Sequence, residues 1–255
     1  MNGTCASFVL TVSEGKRLIA RGVVALDFVQ AAWRDGMIAV GKGTTNAYVL
    51  EELLGERVDK SRYCLGATLP AGGPSRSEVF HDSDALPEMV FRRGQVVEGL
   101  TVAQSVHEMH SGDVVIKGAN ALNYAAGTAG ILVGHPAGGT IGSTIGAVYG
   151  RKLRLVIPIG LEKEIVDDIN ECSAMIQELG PPAGHVPALF PVQGDIITEI
   201  EALEILSGAV VRQIGAGGVA GAEGAIWLMA LGTEEQVSQA KEIIESMHGE
   251  PAFWK

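Results

Sequence analysis

The residues best suited to chemistry form a glycine-rich loop, Gly41-Lys42-Gly43-Thr44-Thr45-Asn46, between a short apolar run and a helix pattern. Glycines let successive backbone N–H groups turn toward one point, and the start of a helix adds the positive end of its dipole. The lysine adds a positive charge and the threonine hydroxyls add donors. The loop predicts an anion-binding site, although its spacing is not that of a P-loop. The alternative is a tight turn in which Thr44 caps the helix.

A second loop of the same type, Gly138-Gly139-Thr140-Ile141-Gly142-Ser143, precedes another helix pattern. Gly139, Thr140 and Gly142 are its candidate ligand-binding residues. The small residues would equally serve close packing of a helix on a sheet, and both interpretations stay open. His135 comes just before the loop, where an imidazole could bind a ligand or move a proton. The alternative for His135 is a histidine that faces solvent.

A third polar cluster follows the apolar run 113–116 and contains Lys117, Gly118 and Asn120. A lysine and an amide at the end of a strand are suited to a hydroxylated, phosphorylated ligand. The alternative is a turn rich in asparagine, since asparagine tolerates left-handed backbone conformations.

Short apolar runs alternate with helix patterns and must position these loops. The runs are 37–40, 113–116, 130–133 and 154–159, and helices are predicted over 13–35, 47–55, 101–110 and 138–151. This alternation predicts an α/β fold with a mostly parallel sheet flanked by helices. Ligands bind such sheets at the carboxyl ends of the strands. Because the glycine-rich loops all follow carboxyl ends, we expect them to share one pocket.

The pattern changes after residue 178. A proline-rich stretch over 180–194 reads as a linker or an extended crossing segment. The order strand, helix, strand, strand, helix then follows and matches most of a ferredoxin-like module. The sequence thus predicts two domains, 1–178 and 190–255. The second domain would leave a sheet edge unpaired, which predicts a homo-oligomer.

Composition excludes several classes of function. The 255 residues carry a net charge of −11, so nucleic acid and anionic membrane surfaces are not expected as partners. Three cysteines without motif spacing and no apparent signal peptide predict a soluble, cytoplasmic protein. His107 and His110 lack further ligands nearby in the sequence, so no metal is predicted. No cofactor is predicted either.

Three segments resemble known families. GKGTTNAYVLEELLG resembles the phosphate loop and helix of ribose-5-phosphate isomerases. GDVVIKGANALN with GILVGHPAGGTIGSTIGAVYGRKLRLVIPIGLEK resembles the distal half of methylthioribose-1-phosphate isomerase and of initiation-factor-2B-type proteins. Both groups belong to the NagB/RpiA/CoA-transferase-like superfamily. The resemblance covers about residues 13–163 and implies the superfamily's Rossmann-like fold.

The resemblance also implies a function, an isomerase of small phosphorylated sugars. Asn120 stands where the family's motif has aspartate, and an amide cannot act as a general base. The carboxylate would have to be replaced, and Glu98, Glu51 and His135 are the candidates, with Glu98 and His135 as the predicted catalytic residues. One alternative is a ligand-sensing or assembly subunit without catalysis. Another is a CoA-transferase-like enzyme with Glu98 as the nucleophile.

Overall fold

A computed structural model describes residues 3–64, 66, 68–80, 84–180 and 186–253. The helices of this part of the chain are α1 Val12–Ala25, α2 Asp27–Asp35, α3 Thr44–Leu54, α4 Arg76–Val79, α5 Val102–Ser105, α6 Gly139–Arg151, α7 Ile169–Leu179, α8 Glu199–Ser207 and α9 Glu234–Glu245. The strands are β1 Thr4–Leu10, β2 Met37–Val40, β3 Met89–Arg92, β4 Gln95–Val96, β5 Val114–Ile116, β6 Ala121–Asn123, β7 Thr128–Val133, β8 Arg154–Pro158, β9 Ala188–Val192, β10 Asp195–Ile197, β11 Val210–Ala216 and β12 Ile226–Gly232.

The central element is a six-stranded mixed sheet with the order β10-β8-β5-β2-β3-β4. The first four strands of this order are parallel to one another. β3 is antiparallel to β2, and β4 is antiparallel to β3. β2 and β5 are buried along their whole length, as expected of continuous apolar runs covered on both faces. The predicted α/β class with mostly parallel strands is confirmed. β2, β5 and β8 end at the same edge of the sheet.

The predicted strand over 130–133 lies outside this sheet. It belongs to β7, which forms a separate antiparallel sheet of order β6-β7-β9. β6 and β7 are joined by a tight turn that pairs Asn123 with Thr128 and contains Gly127 in a left-handed conformation. A turn this short can only reverse the chain, since a parallel neighbour needs a crossover of about a dozen residues.

The C-terminal strands pair differently from the prediction. β10, expected as the first strand of a ferredoxin-like module, runs parallel to β8 in the central sheet. The N-terminal strand β1, which the sequence analysis did not predict, pairs with β12 from Thr4–Gly232 to Leu10–Ile226 and forms the sheet β1-β12-β11. The ferredoxin-like module is therefore unconfirmed, and the two-domain division stays a prediction.

The predicted helix over 13–35 is two helices. Leu26 is extended (φ −61°, ψ 129°) and separates α1 from α2. Thr11, rather than Ser13, caps α1 in a capping box with Glu14. The spacing of the hydrophobic residues did not reveal the break, because Val29 of α2 is buried in the same hydrophobic core as the apolar residues of α1.

The predicted helix over 101–110 is also shorter than expected. Only α5 is helical there, and turns follow it. Thr101 caps α5 as predicted, in a capping box with Gln104. None of the helices in the described ranges has both the length and the apolar character needed to cross a bilayer.

Candidate functional site

A cavity of about 640 Å³ opens where β2 and β5 end, between the starts of α3 and α6. Its walls bring together most of the residues that the sequence analysis selected from three separate loops. Those residues are Lys42, Gly43, Thr44, Thr45, Lys117, Gly118, Asn120, His135, Gly139 and Thr140. Convergence at the carboxyl edge of a parallel sheet is the arrangement from which such folds build ligand sites.

Two predicted glycines support the cavity without lining it. A Cβ atom at Gly41 would lie 3.0 Å from Lys117 Cδ. The backbone N–H of Gly41 donates to the Ile116 carbonyl at 2.9 Å. A Cβ atom at Gly142 would lie 2.3 Å from the Ala137 carbonyl oxygen. Gly41 thus makes room for a cavity lysine, and Gly142 lets the preceding loop pack against α6. The close contact at Gly142 is with the loop before its own helix and not with a sheet, so neither interpretation of the second loop is settled by it.

Asn46 also lies behind the cavity wall. It is fully buried, and its Nδ2 donates to the Gly41 carbonyl at 2.7 Å. Its side-chain oxygen has no hydrogen-bond partner within the described part of the chain. Asn46 therefore ties the Gly41 loop to the first turn of α3.

The two helices that begin at the cavity have no side-chain N-cap. Gly43 precedes α3 and Gly138 precedes α6, and neither offers a capping hydrogen bond. By contrast, α1, α5, α8 and α9 each begin with a threonine capping box. α7 is capped by Asp168. α2, which follows Leu26, is the other long helix without one. The first-turn N–H groups of α3 and α6 are thus left to an external acceptor, and these ends of the helices favour negative charge.

Thr45 supplies a second, independent indication of a ligand. Its side chain is 3 % exposed, it lines the cavity, and its Oγ1 has no partner among the residues described. A buried hydroxyl without a hydrogen bond costs about 1 to 3 kcal/mol. The start of α3 therefore carries a buried hydroxyl for which the described part of the chain provides no partner.

The cavity is rich in positive charge although the protein is acidic overall. Lys42, Lys117 and Lys163 all line it. Lys117 Nζ donates to the Gly118 carbonyl at 3.1 Å, and Lys163 Nζ donates to the Ala119 carbonyl at 3.0 Å. Burial, together with the charge of the neighbouring Lys163 and against the opposing effect of Glu88, lowers the pKa of Lys117 to about 8. The site therefore combines fixed cations with one amine that loses its proton readily.

Glu88 is a cavity residue that the sequence analysis missed. Its Oε1 accepts a hydrogen bond from Thr140 Oγ1 at 3.2 Å, and its Oε2 accepts one from the Val102 N–H at 2.9 Å. β3 is antiparallel to β2 and pairs Met89 with Val40, which puts the residue before β3 at the carboxyl edge of β2.

The other proposed proton-transfer groups lie in different places. His135 lines the cavity, is exposed, and accepts a hydrogen bond at Nδ1 from the Ala137 N–H at 3.1 Å. Glu98 is exposed beyond β4 and is not part of the cavity lining. Glu51 is buried in an ion-pair cluster with Arg17 and Lys60. Of these three side chains, the structure brings only His135 to the cavity.

Asn120 is held in a fixed orientation. Its Oδ1 accepts a hydrogen bond from the Leu132 N–H at 3.0 Å, and its own N–H donates to the Gly130 carbonyl at 2.8 Å. Both contacts tie the Lys117 loop to β7. The side-chain amide can donate to a ligand but cannot exchange a proton with it.

Within the described ranges, no three His, Cys, Asp or Glu side chains gather into a group that could hold a metal ion. Comparisons with family models, with curated proteins and with solved structures each found no match. The geometry of the cavity is therefore the basis for any functional assignment.

Proposed function

We propose that this protein binds a small phosphorylated sugar in the cavity and interconverts its aldose and ketose forms. The observation that carries the proposal is that Glu88, the sole carboxylate among the described lining residues, shares the cavity with three lysines and accepts a hydrogen bond from Thr140 at the start of α6. This reaction requires groups that bind the phosphate and, beside them, a carboxylate that can move a proton.

The phosphate belongs at the start of α3. The N–H groups of Thr44 and Thr45, the Thr45 hydroxyl and the Lys42 ammonium group supply donors and charge at that point. A helix N-terminus favours a dianion even in an acidic protein, because distant charges are screened beyond about 8 to 10 Å. The phosphate would fix the open-chain sugar with its carbonyl end toward β5.

The chemical step moves a proton between adjacent carbons. The Glu88 carboxylate takes the proton from the carbon next to the carbonyl, and the carbonyl oxygen becomes negative in the enediolate. Lys117 and Lys163, which follow β5 and β8, stabilise that oxygen. Within the enediolate, a proton passes from the hydroxyl oxygen of the neighbouring carbon to the former carbonyl oxygen. Glu88 then returns its proton to the former carbonyl carbon, which leaves the new carbonyl on the neighbouring carbon. The carboxylate is regenerated and no co-reactant is consumed.

The proposal is tested with ribose 5-phosphate, arabinose 5-phosphate and glucose 6-phosphate in deuterated water. We expect at least one of them to gain deuterium at carbon 2 and to form the ketose, and Glu88→Gln to abolish both changes. Thermal stabilisation of the protein by such a ligand without exchange or turnover would instead favour the ligand-sensing alternative, for which Asn120 is the supporting residue. Neither stabilisation nor turnover with any of them would contradict the proposal.

A CoA-transferase-like activity has less support. It was based on Glu98 as the nucleophile, and Glu98 lies outside the cavity lining. A glutamyl-CoA thioester at Glu98, formed with release of the free acid and trapped by hydroxylamine, would support it.

We also propose a homo-oligomer, formed by a second copy of this chain. The sheet β1-β12-β11 exposes apolar side chains on one face, namely Val9, Val210, Ile214, Trp227 and Leu231. Val9 of β1 pairs directly with Trp227 of β12, so two of these exposed apolar side chains are adjacent. Light scattering should give a multiple of 26.6 kDa, and Trp227→Glu should reduce it. A monomer at micromolar concentration would contradict this. The cytoplasmic location stays a prediction.

A further inference from the structure

Lys117 is placed as a reactive amine rather than as an ordinary surface cation. It follows β5, lines the cavity, and its aliphatic chain crosses the loop at Gly41, where a Cβ atom would lie 3.0 Å from Cδ. Its Nζ donates to the neutral Gly118 carbonyl at 3.1 Å. No described carboxylate lies within ion-pair distance of this Nζ. The amine thus lacks the partner that would keep it protonated.

The surroundings of Lys117 favour the neutral amine. Burial disfavours the charged form, and the Lys163 ammonium group repels it, so the pKa falls to about 8. At pH 7 about a tenth of such an amine is unprotonated, compared with less than about a thousandth for a lysine of ordinary pKa. The unprotonated amine is the nucleophilic form.

We propose that Lys117 forms an imine with the aldehyde or ketone carbonyl of a phosphorylated ligand held in this cavity. The inference rests on the proposed function for the class of ligand, and it adds a covalent step. The Lys117 Nζ lone pair adds to the carbonyl carbon while the carbonyl oxygen takes up a proton, which gives a carbinolamine. Loss of water then leaves the protonated imine. One carbonyl and one ammonium group become one iminium ion and one water.

Glu88 is in position to move the protons of this step. The cavity holds it together with Lys117, and its carboxylate already accepts the Thr140 hydroxyl. It would take the proton lost from Nζ and give it to the departing hydroxyl group. The iminium would then acidify the adjacent carbon. Glu88 could remove the proton there to give an enamine and return it to the same carbon, which restores the iminium. Water then hydrolyses the iminium and releases the carbonyl compound and the Lys117 amine.

The distance between the two anchors defines the ligand further. The phosphate site at α3 follows β2, and Lys117 follows β5, which is paired directly beside β2. Neighbouring strands lie about 4.8 Å apart. A Cβ atom at Gly118 would lie 3.4 Å from Asn46 Oδ1, so the first turn of α3 is also close to the Lys117 loop. A chain of only a few carbons would join a phosphate at the start of α3 to a carbonyl at Lys117. The ligand class is a short phosphorylated aldehyde or ketone.

The test is reductive trapping of the full chain with cyanoborohydride at pH 7.5, with glyceraldehyde 3-phosphate as the probe. We expect one adduct per chain, located on Lys117 by peptide mapping, and at least a tenfold loss in Lys117→Arg. Lys241→Arg, an exposed lysine of α9, is the matched control and should trap as the wild type does. Glyceraldehyde without phosphate should label Lys117 at least tenfold more slowly. Adducts on other lysines with Lys117 unmodified, or no adduct, would overturn the inference.

A second measurement does not depend on any variant. Competitive labelling of the wild-type protein with acetic anhydride across pH 6–11 gives the titration midpoint of each lysine. Lys117 should titrate clearly below Lys241, and equal midpoints would overturn the inference. An adduct at Lys117 without deuterium exchange would remove the isomerase and keep the imine. Deuterium exchange that persists in Lys117→Arg, with no adduct formed by the wild-type protein, would keep the isomerase and overturn the imine.

Discussion

The Thr140 hydroxyl donates a hydrogen bond of 3.2 Å to the Glu88 carboxylate and so joins the start of α6 to the start of β3. The contact places a negatively charged group beside the N-terminus of α6, although Glu88 does not cap that helix. The other Glu88 carboxylate oxygen accepts a hydrogen bond from the Val102 N–H of α5. A carboxylate oriented from both sides is fixed in place for proton transfer, and the first turn of α3 remains open to a phosphate.

Replacing Thr45 by valine should weaken ligand binding without harming the fold. The shape of the side chain is kept, and the hydroxyl that is lost has no partner among the described residues. We expect the affinity for ribose 5-phosphate to fall by about 1 kcal/mol, or roughly fivefold, by calorimetric titration. The midpoint of thermal unfolding without ligand should stay the same or rise.

Thr144→Val is the matched control for Thr45. Thr144 is equally buried, but its hydroxyl donates to the Thr140 carbonyl at 2.8 Å within α6. We expect this variant to lose about 1 kcal/mol of stability and to keep its ligand affinity. If both variants behaved alike in the two measurements, the Thr45 hydroxyl would have no special role at the site.

Glu88→Gln should remove turnover while preserving binding. The amide keeps the size and can still accept from Thr140, but it cannot act as a general base. We expect kcat to fall by about 10² to 10⁴ with a nearly unchanged affinity. Glu98→Gln is the control and should leave kcat unaltered, since Glu98 is exposed outside the cavity. A larger loss in Glu98→Gln than in Glu88→Gln would return the catalytic role to the residue first predicted.

Gly142→Ala should damage the second loop. The new Cβ would sit 2.3 Å from the Ala137 carbonyl oxygen, so the backbone before α6 must shift. We expect a loss of about 1 to 3 kcal/mol in denaturant unfolding and a weaker ligand affinity. Gly146→Ala, on the same helix with nothing within 4 Å, should instead gain up to about 1 kcal/mol. Equal effects of the two changes would show that close packing at Gly142 is unimportant.

Two of the cavity loops could be predicted from local patterns, because each follows a strand of one parallel sheet. Gly43 and Lys117, 74 residues apart in the sequence, both line the cavity for this reason. Gly139 also lines it, although its loop follows β7, a strand of the separate antiparallel sheet. Glu88 escaped prediction because it precedes its strand rather than following one. Only the antiparallel direction of β3 puts it at the same edge, and strand direction is a property of pairing rather than of local sequence.

The pairing of the remaining strands had the same limitation. The sequence of β10 predicts an apolar strand whichever strand it pairs with. Its local sequence does not indicate whether it pairs with β8 at the edge of the central sheet or belongs to a separate module. β1 depends on contacts with β12 more than two hundred residues away along the chain. Hydrophobic periodicity identifies elements, whereas such long-range partners are chosen by packing of the whole chain.

Glu250 should make stability depend on acid pH. It pairs with Arg17 at 3.0 Å and Arg57 at 2.8 Å, and these contacts outweigh its burial and lower its pKa to about 2. Because the folded pKa lies below the unfolded one, its contribution is present above about pH 4.5 and is lost as the pH falls toward 2. Glu250→Gln should cost about 3 kcal/mol at pH 7 and nothing near pH 2.

The control for Glu250 is Glu245→Gln, at an exposed position on α9. It should change the free energy of unfolding by less than about 0.5 kcal/mol at either pH. A Glu250→Gln deficit that persisted unchanged to pH 2 would show that the carboxylate does not act through ionisation.

Glu199 should have the opposite pH dependence. It is almost wholly buried, and its Oε2 accepts from the Leu161 N–H at 3.0 Å. Burial and the neighbouring Glu162 raise its pKa. The folded protein therefore holds a proton that the unfolded chain releases, so this contribution is greatest below about pH 4.5 and declines as the pH rises. Glu199→Gln should gain stability relative to the wild type between pH 5 and pH 8 in urea unfolding, and a constant difference would refute this.

The most direct measurement is a crystal structure of the protein soaked with ribose 5-phosphate. The account predicts a phosphate at the start of α3, with its oxygens accepting from the N–H groups of Thr44 and Thr45 and from Thr45 Oγ1. The sugar should extend toward Glu88 and Lys117. A phosphate bound elsewhere, or a cavity that stays empty at saturating ligand, would contradict the account.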